Sequence, residues 1–134
     1  MRKNFAINDM TYLLHHGREV DLRNDVEMRS IRFDPLAAEV RIVFCECGDK
    51  GGTGLDLLFS GVRRMSVVMA DNGFADQRNA VGHVGYMEPA DAPDAELFYL
   101  EEDHPDGADM YIMTLSGSKI RIAAEEASVR VHGG

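Results

Sequence analysis

The side chains with the most evident chemical potential are nine carboxylates that lie close together in the chain. They fall between residues 88 and 109, a stretch without lysine or arginine. The nine are Glu88, Asp91, Asp94, Glu96, Glu101, Glu102, Asp103, Asp106 and Asp109. Their number equals the net charge of −9, so the rest of the chain is nearly neutral. We predict a partner-binding patch that attracts a basic protein; solvated loops that protect a strand edge are the alternative.

Two cysteines and five histidines raise the question of a metal site. Cys45 and Cys47 lie two residues apart, so a strand would place both thiols on one face but too far apart for a disulfide. Zinc sites more often use cysteines with two residues between them, and cysteine also behaves as a small buried hydrophobe. The sequence therefore predicts no metal ligand and no cofactor. A metal-dependent enzyme that uses both cysteines and a histidine stays open as a third function.

No nucleophile with an activating neighbour is evident. A reactive cysteine needs a nearby base or cation to lower its pKa, whereas the two cysteines here flank Glu46. Ser60 and Ser116 precede glycines in predicted turns and do not form a nucleophile elbow. The glycine-rich run at residues 51–54 lacks the lysine of a phosphate-binding loop. We therefore predict no catalytic residue and a non-enzymatic protein.

Net charge and hydropathy exclude further classes. A charge of −9 argues against binding nucleic acid through its phosphates, because a basic face supplies most of that affinity. Charged or polar residues interrupt every apolar run before the ~18 residues of a membrane helix. The basic start at residues 1–5 is not followed by the apolar segment of a signal peptide. These features predict a cytoplasmic protein that binds neither nucleic acid nor membrane.

A short helix is predicted near the N-terminus, over about residues 8–16. Asn8 can cap it, and Gly17 follows at the position where a left-handed residue often ends a helix. Met10, Leu13 and Leu14 have the spacing of an apolar helical stripe. A helix of this length is marginal alone, so it must dock on the remainder of the fold.

From about residue 25 to residue 132 the apolar pattern changes to period two, which is typical of half-buried strands. Alternation is evident at 40–44, 55–59, 65–69, 84–86, 97–99, 110–112, 120–122 and 129–131. Ser116-Gly117-Ser118 joins two of these segments closely enough to require a hairpin. Short connections favour antiparallel pairing. The predicted fold is mainly β: one domain over 1–134, with about eight antiparallel strands in a sandwich or strongly curved sheet.

Two runs carry a family resemblance. The first is residues 25–34 (DVEMRSIRFD) followed by the strand at 39–44, and the second is residues 57–62 (LLFSGV). Together they resemble several small bacterial β-rich families, some of which are immunity proteins of toxin systems. The similarity covers about 40 residues at core and turn positions and carries no catalytic residue. It implies a non-enzymatic protein that neutralises a toxin by covering its active site.

The leading hypothesis is a small acidic binding protein of the immunity or inhibitor type. It rests on the acidic stretch, the missing catalytic signatures and the resemblance. A structural or homodimer-forming β domain is the alternative, because exposed strand edges can pair two copies.

Overall fold

The computed structural model describes residues 1–46, 54–70, 80–91, 98–104 and 106–132, and for residue 132 the backbone alone. Within these residues the chain forms twelve strands and no helix. The strands are β1 (Arg2–Lys3), β2 (Ala6–Asn8), β3 (Tyr12–His15), β4 (Arg18–Asp21), β5 (Val26–Asp34), β6 (Glu39–Glu46), β7 (Gly54–Ser60), β8 (Arg64–Val68), β9 (Val81–Met87), β10 (Asp109–Thr114), β11 (Lys119–Ala123) and β12 (Glu126–His132). The prediction of a mainly β fold is therefore confirmed.

A five-stranded sheet has the order β1-β12-β7-β6-β5. The period-two pattern of β6 acts as predicted, because Val40, Ile42 and Phe44 are buried while Arg41 and Val43 between them are partly exposed. β5 pairs with β6 along its whole length, with one bulge between residues 28 and 30.

One edge of this sheet departs from the expected antiparallel pairing. β1 runs parallel to β12, with Arg2 opposite Glu126 and Lys3 opposite Ala127. Short connections exclude parallel neighbours only between strands that follow one another in sequence. β1 and β12 come from opposite ends of the chain, so this restriction does not apply to them.

A four-stranded antiparallel sheet has the order β8-β11-β10-β9. The predicted hairpin at residues 116–118 is confirmed, since it connects β10 to β11. Met110, Ile112, Ile120 and Ile122 are each at most 1% exposed and belong to the hydrophobic core. Residues that alternate with them, such as Tyr111, point to the outer face.

The predicted helix over residues 8–16 is wrong. β2, β3 and β4 form a three-stranded antiparallel sheet there. Asp9 and Met10 have φ angles of 48° and 64°, and His16 and Gly17 have φ angles of 50° and 75°. Left-handed residues at these positions interrupt a right-handed helix and form tight turns instead. The pair at 16–17 is a two-residue connection with both φ values positive, the type I′ geometry that suits a hairpin.

The helical spacing of Met10, Leu13 and Leu14 was misleading, because Leu13 and Leu14 lie side by side in β3 and Met10 precedes that strand. Ile7 and Leu13 are opposite each other and buried, whereas Met10 lies in a turn and is 41% exposed. The β region consequently begins at residue 2 and not near residue 25. The amide of Val84 donates to the carbonyl of Met10 (2.6 Å), so the three-stranded sheet lies at the free edge of β9.

The core receives side chains from all three sheets. Leu13, Phe44, Phe59 and Ile112 are each at most 1% exposed and lie in one apolar cluster. Among the residues that the structure describes, no helix is long and apolar enough to cross a membrane.

Candidate functional site

Residues 88–109 are called the acidic segment, and its described residues 88–91 and 98–104 cover the outer face of the four-stranded sheet. Asp109, Tyr111 and Arg121 lie on this face, and all three are buried. In a sheet with one face in water these positions would be exposed. Their burial, with the contacts given below, shows that residues 88–91 and 98–104 lie over the strands.

A buried ion pair holds the centre of this face. Nε of Arg121 donates to Oδ2 of Asp109 across 2.9 Å, and the two side chains are 7% and 3% exposed. Arg64 reaches the same carboxylate from the edge strand β8, at 3.3 Å to each oxygen, and its side chain is 56% exposed. Asp109 is thus an internal partner of two arginines.

The same Arg121 fastens the start of the acidic segment. Nη1 donates to the carbonyl of Asp91 (2.7 Å) and Nη2 to the carbonyl of Glu88 (2.6 Å). The side chain of Asp91 in turn accepts from the amide of Glu88 at 3.1 Å. Because a guanidinium has five donors in a rigid fork, one side chain can tie this loop and the sheet together.

Aromatic stacking fastens the middle of the segment. The ring of Phe98 stacks on His83 with a centroid distance of 4.5 Å and lies 5.7 Å from the ring of Tyr111. Gly85, on the strand below, provides the space: a Cβ atom there would lie 2.2 Å from Cδ2 of Phe98. Tyr99 then exchanges two backbone hydrogen bonds with Tyr86, at 2.7 and 3.0 Å.

Glu101 connects the segment to the N-terminal strands. Its carboxylate accepts from Nζ of Lys3 (2.5 Å), the hydroxyl of Tyr86 (2.7 Å) and the amide of Ile7 (2.8 Å). Lys3 also donates to the hydroxyl of Tyr86. Nε2 of His104 lies 3.3 Å from the carboxylate, and its ring stacks on Tyr86 at 4.0 Å.

This network sets the protonation of its members. Burial alone would raise the pKa of Glu101, but the hydrogen bonds from Lys3, Tyr86 and the Ile7 amide outweigh it, so the pKa lies below its ordinary value. Burial, followed by the hydrogen bond and charge of Glu101, raises the pKa of Tyr86 far above its ordinary value. The phenol of Tyr86 therefore stays protonated and donates a hydrogen bond. The network as a whole stabilises the contact between the acidic segment and the N-terminal strands.

The nine predicted patch residues consequently divide into three groups. Asp109 is buried, and Asp91 and Glu101 are partly buried with internal partners. Asp94 and Glu96 lie outside the described residues. The remaining four are exposed: Glu88, Glu102, Asp103 and Asp106. These four are called the exposed acids below.

Two apolar side chains accompany the exposed acids. Tyr99 and Leu100 are each 39% exposed, although the segment around them is fixed to the sheet. The hydroxyl of Tyr99 donates to Glu88 at 3.3 Å, and the Leu100 carbonyl accepts from the amide of Asp103 at 3.1 Å. The charge of Glu88, the largest cause, raises the pKa of Tyr99, so that this hydroxyl stays a donor.

The other residues considered from sequence do not converge. Cys45 is a free, partly buried thiol, and Cys47 lies outside the described residues. The described part of the chain contains no group of three or more metal-ligating side chains.

Arg121 and Lys3 were missed by sequence reasoning. Arg121 lies between Ile120 and Ile122 in a strand, a pattern that predicts a solvent-facing arginine. One signal was available in the sequence: all lysines and arginines lie outside the acidic segment. Because a buried carboxylate needs a cation as its partner, some of these residues had to contact the segment.

No protein-family model matches the chain, and no curated protein or solved structure is significantly similar to it. The class that the fold and the site define is therefore a structural one: an all-β chain with an acidic segment fastened across one sheet.

Proposed function

We propose that this chain is a small, acidic, non-enzymatic binding protein of the immunity or inhibitor type, acting in the cytoplasm. It binds a basic toxin or another basic protein with the surface formed by the exposed acids together with Tyr99 and Leu100. The observation that carries the proposal is the fastening of this surface by buried Arg121, through the carbonyls of Glu88 and Asp91.

Fixing the segment before the partner binds reduces the conformational entropy that is lost on binding. A loop that becomes ordered on binding loses affinity to the ordering of its own side chains and backbone. Here Arg121, Phe98 and Glu101 hold the segment in place before any partner arrives. The backbone beside Glu88, Glu102 and Asp103 is thus held in position before binding, which favours preorganised recognition.

The composition of the surface supports a protein partner. Negative charge steers a basic partner and selects against acidic ones. Exposed aromatic and aliphatic side chains provide the apolar anchors that dominate interface energetics. Tyr99 and Leu100 lie among the acids and supply such anchors.

The homo-oligomeric alternative would use the outer edges of the sheets, and β5 is the longest edge strand in the part of the chain that the structure describes. β5 carries Glu27, Arg29, Arg32 and Asp34 and contains a bulge, and such features are typical of edges that resist strand addition. Sedimentation over a hundredfold dilution tests this function, and a dimer that resists dilution supports it.

The experiment for the proposed function is capture of the partner from the native cell, repeated with two charge-matched variants. The first variant, Glu102→Gln/Asp103→Asn/Asp106→Asn, neutralises three exposed acids. The second, Asp9→Asn/Glu19→Gln/Glu125→Gln, removes three exposed charges elsewhere. We expect one basic protein to be recovered with wild type and the second variant and to be depleted with the first. Equal recovery with both variants would contradict the assigned surface.

A further inference from the structure

A cleft of about 370 Å³ opens on the outer face of the four-stranded sheet, between β8 and the start of the acidic segment. Asp109 and Arg121 form its inner end, and Ser66 and Pro89 line its sides. Arg64 stands at its mouth on the edge strand. The volume is within the range of sites that hold a small group.

The carboxylate at the inner end of the cleft has bonding capacity left. Oδ2 of Asp109 accepts the 2.9 Å hydrogen bond from Arg121. For Oδ1, the described part of the chain offers one donor, Nη2 of Arg64, at 3.3 Å. A carboxylate has about four lone-pair sites, so this buried group can accept further hydrogen bonds. Asp109 itself is only 2% exposed, so a further hydrogen bond to its carboxylate would form in surroundings of low polarity.

Arg64 is a replaceable cation. Its side chain is 56% exposed, and its other polar contact, to the carbonyl of Pro89, is 3.5 Å long. Because the guanidinium of Arg64 is more than half exposed, water screens its interaction with the buried carboxylate of Asp109. Its departure would leave the pair of Arg121 and Asp109 in place and open the cleft toward solvent.

We propose that this cleft receives an arginine side chain of the basic partner, which replaces Arg64 on Oδ1 of Asp109. The inference rests on the proposed function and names the side chain that its partner inserts. A guanidinium fits better than an ammonium because its planar donors can reach the carboxylate and the Pro89 carbonyl together. Glu88 is exposed nearby and Asp91 lines the cleft, so the approach is favourable for a cation.

The test is an NMR titration of the full chain, labelled with ¹⁵N, with methylguanidinium chloride at constant ionic strength. The variants are Arg64→Ala and Arg64→Gln, which remove the resident cation, and Arg63→Ala as a control of equal charge. Arg63 is exposed and does not line the cleft. We expect both Arg64 variants to bind methylguanidinium about tenfold more tightly than wild type, with saturable shifts at Ser66 and Asp109. The control should match wild type.

Three results would overturn the proposal. The Arg64 variants and the Arg63 control could respond alike, or methylammonium could saturate the same amides as strongly as methylguanidinium. Inorganic phosphate could also saturate them and be lost when Arg64 is replaced, which would make the cleft an anion site. The variant Glu102→Gln/Asp103→Asn/Asp106→Asn should keep its affinity for methylguanidinium. Failure of the cleft is therefore distinguishable from failure of the proposed protein-binding surface.

Discussion

Arg121 and Asp109 lie diagonally across the adjacent strands β11 and β10 with Nε and Oδ2 2.9 Å apart, and both side chains are almost wholly inaccessible to solvent. Through its two remaining nitrogens Arg121 also holds the carbonyls of Glu88 and Asp91. One side chain thereby links the sheet to the segment that carries the exposed acids. Both the stability of the fold and the proposed binding surface depend on this link.

Replacement of Arg121 by methionine should destabilise the chain by about 3–5 kcal/mol, because Asp109 would remain buried without its closest cation. Urea unfolding measures the loss. The control is Arg32→Met, on the exposed face of the five-stranded sheet, which should change stability by less than about 0.5 kcal/mol. Equal effects of the two substitutions would show that the buried pair has no special role.

Replacement of Gly85 by alanine should displace Phe98, since the new Cβ would lie 2.2 Å from the ring. We expect a loss of about 1–3 kcal/mol, as for other overpacked sites. Hydrogen exchange should also accelerate at the amide of Tyr99, which donates to Tyr86. In a Phe98→Ala background the same glycine substitution should be nearly neutral, and additive losses in that double-mutant cycle would refute the contact.

The depressed pKa of Glu101 predicts a pH-dependent contribution to stability. Its folded-state pKa lies below the reference value of 4.5, so its contribution is fully present above that pH and is lost as the pH falls through the folded-state value. Urea unfolding from pH 7 to pH 3 measures the free energy of unfolding of wild type and Glu101→Gln. The difference between the two values should therefore become smaller as the pH falls. The exposed neighbour provides the control, Glu102→Gln, whose curve should run parallel to that of wild type. A difference in unfolding free energy that does not change with pH would contradict the network around Glu101.

The turn at residues 16–17 predicts opposite effects for two substitutions. His16 has a φ of 50°, a conformation that asparagine adopts readily and β-branched residues do not. His16→Asn should raise the thermal midpoint by creating the Asn-Gly sequence that type I′ turns prefer. His16→Val should lower it, with a cost of about 1–2 kcal/mol. If valine is tolerated as well as asparagine, the hairpin assignment is wrong.

The sequence predicted most of the strands because period-two alternation reports directly on half-buried sheets. β6, β7 and β10–β12 lie where that pattern placed them. The N-terminal helix was wrong because Leu13 and Leu14 are neighbours in one strand, β3, and Met10 lies in the turn before it. The deciding feature was the left-handed backbone of Asp9 and Met10, inside the predicted helix, which the pattern of apolar side chains does not report.

The acidic segment was found from its composition, but its internal division was not. Asp109 and Glu101 have the same charge as Glu102 and Asp103, and only the tertiary contacts of Arg121 and Lys3 separate the structural carboxylates from the exposed ones. Such partners are distant in sequence, by 98 residues in the case of Lys3 and Glu101. No local pattern contains this information.

The most direct measurement is the rate of association with the captured partner as a function of salt. Wild type and Asp9→Asn/Glu19→Gln/Glu125→Gln should associate quickly at low salt and slow steeply as salt is added. Glu102→Gln/Asp103→Asn/Asp106→Asn should associate about tenfold more slowly at low salt, and its rate should depend less on salt. At about 1 M salt the three proteins should have the same association rate. If the two variants have the same rates at every salt concentration, the exposed acids do not form the binding surface.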